Sequence, residues 1–131
     1  MNRWTTSNKA IYNINYHLIW CPKYRRKILM GDIEKRLKDL LLEKASKLNI
    51  VIEQLEIMPD HVHLFVKSIP IYPPQFIVGQ LKGYTSKILR HEFPKLKSRL
   101  PCLWSRSYYC ESIGHISEDV IKKYIKDQKG V

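Results

Sequence analysis

The sequence predicts an α+β fold in which two helices cover one face of a four-stranded antiparallel sheet. Four short segments have the composition of strands, and the first of them alternates between polar and apolar residues over most of its length. Two longer segments place apolar residues three or four positions apart, as amphipathic helices do. The length of 131 residues suits a single domain, which we expect to span residues 1–131.

The first strand is predicted over residues 11–20, and the first helix follows it. Alternation puts Trp20 and every second residue before it on the apolar face, and puts His17 on the opposite face. Asp32 is predicted to cap the helix, in which apolar residues recur at helical spacing as far as Leu48.

The next two strands form a predicted hairpin. They cover residues 50–57 and 61–67, and Met58-Pro59-Asp60 separates them as a turn-like break. A break this short favours antiparallel pairing of the two strands.

The second helix is predicted over residues 75–92. Pro74 lies near its start, where the missing N–H of proline costs little. Gly79 and Gly83 lie inside the helix against its propensity, and we expect close packing there rather than approach of a DNA backbone. A basic connector interrupted by proline follows over residues 93–106.

The last two elements are a strand over residues 107–113 and a helix that begins after Ser117 and runs to about Gln128. The resulting order is β-α-β-β-α-β-α. Its first six elements match the ferredoxin-like pattern, which RRM-like domains also have.

The charge of the chain predicts an acidic partner. The formal net charge is +11, with +7 in residues 1–48, −2 in residues 49–70 and +6 in residues 71–131. Fourteen aromatic residues accompany this charge and can stack on unpaired bases, which favours nucleic acid over a surface that is basic only for solubility. The candidate nucleic-acid-binding residues are Lys23, Tyr24, Arg25, Arg26, Lys27, Lys95, Lys97 and Arg99.

Several classes of protein are not expected from the composition. No apolar segment approaches the roughly 20 residues that cross a bilayer, and the first residues lack the apolar stretch of a secretory signal. Three cysteines without Cys-x-x-Cys spacing argue against a disulfide framework or a zinc ribbon. A cytoplasmic protein is therefore expected.

The sharpest local motif is His61-Val62-His63. Alternation along a strand puts both histidines on one face, where two imidazoles can act as a two-point metal clamp. The alternative is a pair of histidines held by hydrogen bonds within the sheet. A histidine-triad nucleotide hydrolase would require a third histidine where Phe65 stands, so that class is not expected.

Tyr124 and Gln128 form a second candidate pair, on the last predicted helix. They lie four residues apart and so share the inward face. A glutamine on an apolar stripe needs a polar partner, which a metal ion could provide. A core tyrosine with a glutamine that reaches solvent is the alternative. A tyrosine can attack a phosphodiester when a cation polarises the phosphate.

Taken together, these motifs resemble the single-tyrosine HUH transposases of the IS200-like insertion sequences. The resemblance begins with Tyr16-His17-Leu18-Ile19-Trp20-Cys21-Pro22-Lys23-Tyr24-Arg25-Arg26, continues through Met58-Pro59-Asp60-His61-Val62-His63-Leu64 and ends with the Tyr124 to Gln128 helix. It implies that His61, His63 and Gln128 bind Mg²⁺ or Mn²⁺ and that Tyr124 is the nucleophile.

The resemblance also implies a substrate and an assembly. Family members cut and rejoin single-stranded DNA with hairpin ends through a 5′-phosphotyrosine, and they act as homodimers whose active sites are shared between subunits. Two alternatives remain open at this point. One is a non-catalytic module that binds single-stranded DNA or RNA, although such sheets need exposed aromatics on their central strands. The other is a domesticated relative that acts on genomic hairpin repeats.

Overall fold

The computed structural model describes residues 5–6, residues 11–114 and Lys126. The strands are β1 (Thr5–Thr6), β2 (Ile11–Tyr12), β3 (Ile14–Trp20), β4 (Val51–Met58), β5 (His61–Ser68) and β6 (Tyr109–Ile113). The helices are α1 (Gly31–Lys47), α2 (Pro74–Glu92) and α3 (Pro94–Ser98), with a 3₁₀ turn at Lys23–Arg25. The predicted last helix, with Tyr124 and Gln128, lies outside the described residues, apart from Lys126, which is helical and exposed.

The main sheet has the strand order β4-β5-β3-β6, and every neighbouring pair is antiparallel. The strand before α1 and the strand before α2 therefore lie side by side in the centre. This is the ferredoxin-like arrangement, so the prediction of fold class is confirmed. β1 and β2 form a separate two-stranded sheet.

The hydrophobic core lies between one face of this sheet and the helices. Its central residues are less than 2% exposed and come from β3, β5, α1 and α2: Leu18, Trp20, Val62, Leu64, Val66, Leu37, Leu40, Leu41, Ile77, Leu81 and Leu89. Burying a side chain of this size stabilises a fold by about 1.5–3 kcal/mol. Because side chains alternate along a strand, His17, His61, His63 and Phe65 lie on the face that α1 and α2 do not cover.

Three predicted features of the elements are wrong, and the strand predicted from residue 107 begins at Tyr109. The first strand breaks at Asn13, because β2 pairs with β1 whereas β3 pairs with β5 from Ile14 onwards. Asp32 does not cap α1: the helix begins at Gly31, no side chain caps it, and Asp32 lies in the first turn, where its charge suits the helix dipole. The connector contains α3, because Pro94 occupies the first turn of a helix instead of preventing one.

The expectation that Gly79 and Gly83 permit close packing is not met within the described chain. Both glycines are on the exposed side of α2, and a Cβ atom built on either would meet no heavy atom within 4 Å. At Gly79 and Gly83 the surface of α2 is therefore exposed and carries no side chain.

A buried hydrogen bond joins α2 to the connector that precedes β6. The Trp104 Nε1 group donates to Oγ1 of Thr85 at 3.0 Å, and both residues are buried. We expect Thr85→Val to lower the free energy of unfolding by about 1–3 kcal/mol, because it leaves the indole N–H without its acceptor. Thr85→Ser keeps the hydroxyl and should cost about 0.8 kcal/mol for the lost methyl group. Urea unfolding followed by circular dichroism measures the stability of both variants. A Thr85→Val variant as stable as Thr85→Ser would show that the hydrogen bond from Trp104 does not stabilise the fold.

Candidate active site

Three histidines meet on the face of the sheet opposite the core. His61 and His63 lie on β5, with ring centroids 4.7 Å apart. His17, from β3, places its Nε2 atom 3.5 Å from Nδ1 of His63. The two motif histidines therefore lie side by side, as their spacing predicts.

The surroundings of His63 keep its imidazole neutral. Its side chain is 7% exposed, and its pKa is lowered to about 4, first by burial and then by the charges that His61 and His17 carry when protonated. A neutral imidazole has a lone pair to offer, which is the form that binds metals. Burial also lowers the pKa of His17, while the carboxylate of Glu111 acts in the opposite direction.

His61 is held by Asp60, the second residue of the β4–β5 turn. The Asp60 Oδ1 atom lies 2.7 Å from Nδ1 of His61, and its Oδ2 atom accepts a hydrogen bond of 3.1 Å from Nη2 of Arg25. Burial acts to raise the pKa of Asp60, but its hydrogen bonds and charge interactions with His61 and Arg25 outweigh it, so the pKa is lowered. The carboxylate is therefore ionised and joins the basic loop to the histidine pair.

His17 is a site residue that the alternation pattern did not predict. The pattern places it on a polar face, but it is 1% exposed and stacks on Phe65, with 4.5 Å between the ring centroids and 5° between the ring planes. The edge of Tyr109 approaches the same imidazole at 5.6 Å. The sequence did contain an indication that His17 belongs to the site, because His17 lies between Tyr16 and Leu18 in the first motif of the resemblance.

The histidine cluster fits a divalent metal ion in its donor set. His61 and His63 offer two adjacent imidazoles, and the Nδ1 atoms of both face partners, so Nε2 is the atom each presents to a metal. Although His17 adjoins the pair, these residues do not form a group of three His, Cys, Asp or Glu side chains that could hold a metal, and no such group occurs in the part of the chain that the structure describes. A complete site therefore needs a further ligand, and the predicted one, Gln128, lies outside the described residues.

The basic loop of residues 23–27 lies beside the histidines. Tyr24 and Arg25 both adopt left-handed backbone conformations, with φ of 60° and 49°. The ring of Tyr24 is 66% exposed, and Nζ of Lys23 lies 5.3 Å from its centroid. Backbone hydrogen bonds fix both ends of the loop, from Lys23 N to the carbonyl of Leu103 and from Leu29 N to the carbonyl of Pro59.

The second predicted basic segment lies elsewhere. Lys95, Lys97 and Arg99 are exposed on and just after α3, whose Leu96 packs into the core on the helix side of the sheet. Lys97 also lines an open cavity of about 330 Å³ together with Ser86, Lys87, Arg90 and His91. The structure therefore brings residues 23–27 to the histidine pair. It places the segment with Lys95, Lys97 and Arg99 in the helix layer, on the other side of the sheet.

None of the helices among the described residues combines the length and the apolarity that a membrane crossing requires.

Comparisons of sequence place these features in a family. Residues 10–128 match the family model described as IS200-like transposase. The ISDra2 transposase TnpA of Deinococcus radiodurans is 36% identical over 120 residues, which cover 90% of this chain and 86% of that protein. The transposase of insertion sequence element IS200 from Salmonella typhimurium is 31% identical over 119 residues, covering 89% and 78% respectively.

Comparisons of structure agree. A crystal structure of a candidate transposase from Deinococcus radiodurans R1 superposes with a TM-score of 0.78 at 32% identity, covering 95% of this chain and 97% of the other. The structure of a REP-associated tyrosine transposase bound to a REP hairpin superposes with a TM-score of 0.63, covering 96% and 74%. At 13% identity, the second likeness shows the fold alone.

Proposed function

Because this chain belongs to the family of IS200-like transposases, we propose that it cuts and rejoins single-stranded DNA through a 5′-phosphotyrosine intermediate formed on Tyr124. The observation that carries the proposal is the pair of adjacent imidazoles, His61 and His63, on the face of the sheet that α1 and α2 leave uncovered. The test is whether the protein becomes covalently attached to labelled single-stranded DNA that carries the ends of its element. A non-catalytic binding module would form no such adduct.

The proposed chemistry is an in-line displacement at phosphorus. The phenolic oxygen of Tyr124 bonds to the phosphorus as the bond to the 3′ oxygen breaks, which leaves a 3′-hydroxyl on one strand and a 5′-phosphotyrosine on the other. The phenol gives its proton to solvent, and the departing oxygen takes one up. Rejoining is the same displacement in reverse by another 3′-hydroxyl, so no ATP is consumed.

A divalent ion, Mg²⁺ or Mn²⁺, is part of this proposal. His61, His63 and Gln128 would hold it, and it would polarise the phosphate and stabilise the charge that develops there. The two histidines come from a rigid central strand, which favours a fixed ligand geometry. Gln128 lies four residues beyond Tyr124, so one helix would supply both the nucleophile and a ligand.

The single strand would follow the basic loop towards the histidines. Tyr24 offers an exposed ring on which a base can stack, and Arg26 and Lys27 are exposed beside it to contact phosphates. The segment with Lys95, Lys97 and Arg99 lies on the helix side and would contact a separate part of the same DNA, such as a hairpin stem. The buried state of Phe65, which is 3% exposed, disfavours a sheet that binds bases through its central strands.

DNA binding should weaken steeply as salt rises, because each neutralised phosphate releases counterions. We expect Lys27→Ala to lower the slope of log affinity against log salt by about 0.7, the value for one phosphate contact on a single strand. Fluorescence anisotropy with hairpin-ended DNA at several salt concentrations measures this slope. Lys38→Ala, an equal loss of charge at an exposed position on α1, is the control. A flat salt response, or equal slopes for the two variants, would contradict the proposed DNA surface.

The proposed assembly is a homodimer in which the tyrosine helix of one subunit completes the active site of the other. β6 supports this arrangement, because it is an edge strand of the described sheet and a second β6 could extend the sheet across an interface. As a transposase of bacterial-type insertion sequences, the protein would act in the cytoplasm, where the chromosome is.

Mixing two inactive variants tests the shared site. His61→Ala and Tyr124→Phe each remove one half of the chemistry, so each alone should be inactive. After subunit exchange, mixed dimers would hold one intact site, and we expect adduct formation to return to about a quarter of the wild-type level if exchange is random. Sedimentation in parallel gives the oligomeric state. Dimers that exchange subunits without recovering activity would show that each subunit uses its own tyrosine.

A further inference from the structure

Asp60 connects the basic loop to one of the two motif histidines. One carboxylate oxygen faces Nδ1 of His61 at 2.7 Å, and the other accepts from Nη2 of Arg25 at 3.1 Å. The side chains of Asp60 and His61 are 20% and 15% exposed, so water competes little for their bond, whereas that of Arg25 is 70% exposed. The three residues therefore form a chain from solvent to the histidine pair.

The loop that brings Arg25 to Asp60 has an unfavourable backbone conformation. Two successive residues that are not glycine, Tyr24 and Arg25, have left-handed φ values. Such a conformation is unfavourable for residues other than glycine, and strain of this kind persists where the surrounding structure over-determines it. Here the bond from Leu29 N to the Pro59 carbonyl and the ion pair of Arg25 with Asp60 both hold the loop against the β4–β5 turn.

The identity of the ring atom that faces Asp60 decides what His61 can bind. An ionised carboxylate can only accept, so Nδ1 of His61 carries the hydrogen, and in the neutral ring Nε2 carries the lone pair. An imidazole without such a partner in water prefers the opposite tautomer, with the hydrogen on Nε2. In His63 the Nδ1 atom is directed towards His17. In both histidines, therefore, Nε2 is the ring nitrogen that remains for a metal.

We propose that Asp60 and Arg25 are positioning residues for His61: Asp60 fixes the tautomer and orientation of the ring so that Nε2 faces the metal, and Arg25 fixes Asp60. This inference rests on the proposed metal site. It gives Arg25 a role different from that of Arg26, although the two are adjacent and carry the same charge. Part of the Arg25 charge is directed to Asp60, while Arg26 remains a phosphate contact.

The tautomer of His61 in metal-free protein tests the first half of the proposal. Nitrogen-15 chemical shifts of the imidazole distinguish the two neutral forms, and we expect the Nδ1–H form in wild-type protein. Asp60→Ala should shift the ring towards the Nε2–H form, and Asp60→Asn, whose amide oxygen can still accept, should retain the Nδ1–H form. An unchanged tautomer in Asp60→Ala would overturn the proposal.

Binding of Mn²⁺ without DNA, measured by calorimetry, tests the second half. Loss of the outer partner of a metal-binding histidine typically weakens metal affinity by roughly 10–100-fold, which is the loss expected for Asp60→Ala. Arg25→Ala should also weaken Mn²⁺ affinity, but by a smaller factor than Asp60→Ala does. The matched variant Arg26→Ala should leave Mn²⁺ affinity unchanged. Thermal melting checks that all the variants fold. Equal Mn²⁺ affinity for Arg25→Ala and Arg26→Ala would overturn the role of Arg25.

These measurements remain separate from the proposed function, since neither uses DNA or cleavage. If wild-type protein forms no covalent adduct but Asp60→Ala shifts the tautomer and weakens Mn²⁺ binding, the positioning role stands and the catalytic proposal fails. If adduct forms and Asp60→Ala leaves both readouts unchanged, the catalytic proposal stands and the positioning role fails.

Discussion

The Tyr124→Phe variant is expected to bind hairpin-ended single-stranded DNA as the wild type does and to form no covalent adduct with it. The substitution removes one oxygen atom, so it should change neither the fold nor the DNA surface. The ordinary pKa of tyrosine is about 10, so in the proposed mechanism the phenol would need help from a cation on the phosphate to attack at neutral pH. Without the oxygen there is no route to the phosphotyrosine. A denaturing gel with labelled DNA measures the adduct, and anisotropy measures the binding.

Tyr109 supplies the control for this experiment, because it is a tyrosine that the structure places beside the histidine cluster. Its ring is 5.6 Å from that of His17, and its hydroxyl donates to Oε2 of Glu111 at 2.8 Å. Tyr109→Phe should leave adduct formation intact. If Tyr109→Phe loses the adduct and Tyr124→Phe keeps it, the nucleophile lies on β6 and the assignment from the resemblance is wrong.

The periodic parts of the fold could be predicted because periodicity reports which face is buried. The predicted β4–β5 hairpin differs from the observed one by a single residue at the ends of its strands, since Pro59 and Asp60 separate two segments that have the composition of strands. The same alternation places His61 and His63 on one face, and the structure confirms that geometry. Metal binding by this pair stays a prediction.

Contacts between residues distant in the chain could not be predicted in this way. Alternation assigns His17 to a polar face, but it does not show that Phe65 lies opposite His17 on the neighbouring strand and buries it. Likewise, the ion pair of Arg25 with Asp60 depends on a left-handed turn that no residue in the loop favours. A basic run in a sequence indicates a surface for an anion, but not which of its charges is already paired.

The face on which the chemistry would occur follows from the core. Leu18, Val62 and Leu64 are directed towards the helices, so the residues between them in sequence must project from the other face. The ferredoxin-like topology puts β3 and β5 side by side, which brings His17 to the pair on β5. Topology therefore brings His17 to His63, although the two residues are 46 positions apart in the chain.

The second large effect is expected at the histidine pair. His61→Ala and His63→Ala should each abolish adduct formation while binding of the hairpin persists, because each removes one of the two imidazoles that would hold the metal. Chelation of divalent ions with EDTA should have the same effect on wild-type protein, and added Mg²⁺ or Mn²⁺ should restore the activity. Quantified adduct on a denaturing gel, with binding measured in parallel, separates loss of chemistry from loss of DNA affinity.

His91 is the matched control for these substitutions, since it is an exposed histidine on α2, in the helix layer away from the pair. His91→Ala should keep its adduct formation and its dependence on a divalent ion. His63 is buried, so its alanine variant is compared by thermal melting with His61→Ala, whose ring is less enclosed. Loss of adduct in a folded His61→Ala protein locates the requirement at the motif. Cleavage that continues in EDTA would show that the two imidazoles have a structural role in the sheet and do not bind a required metal. Tyr124 would then need another source of activation.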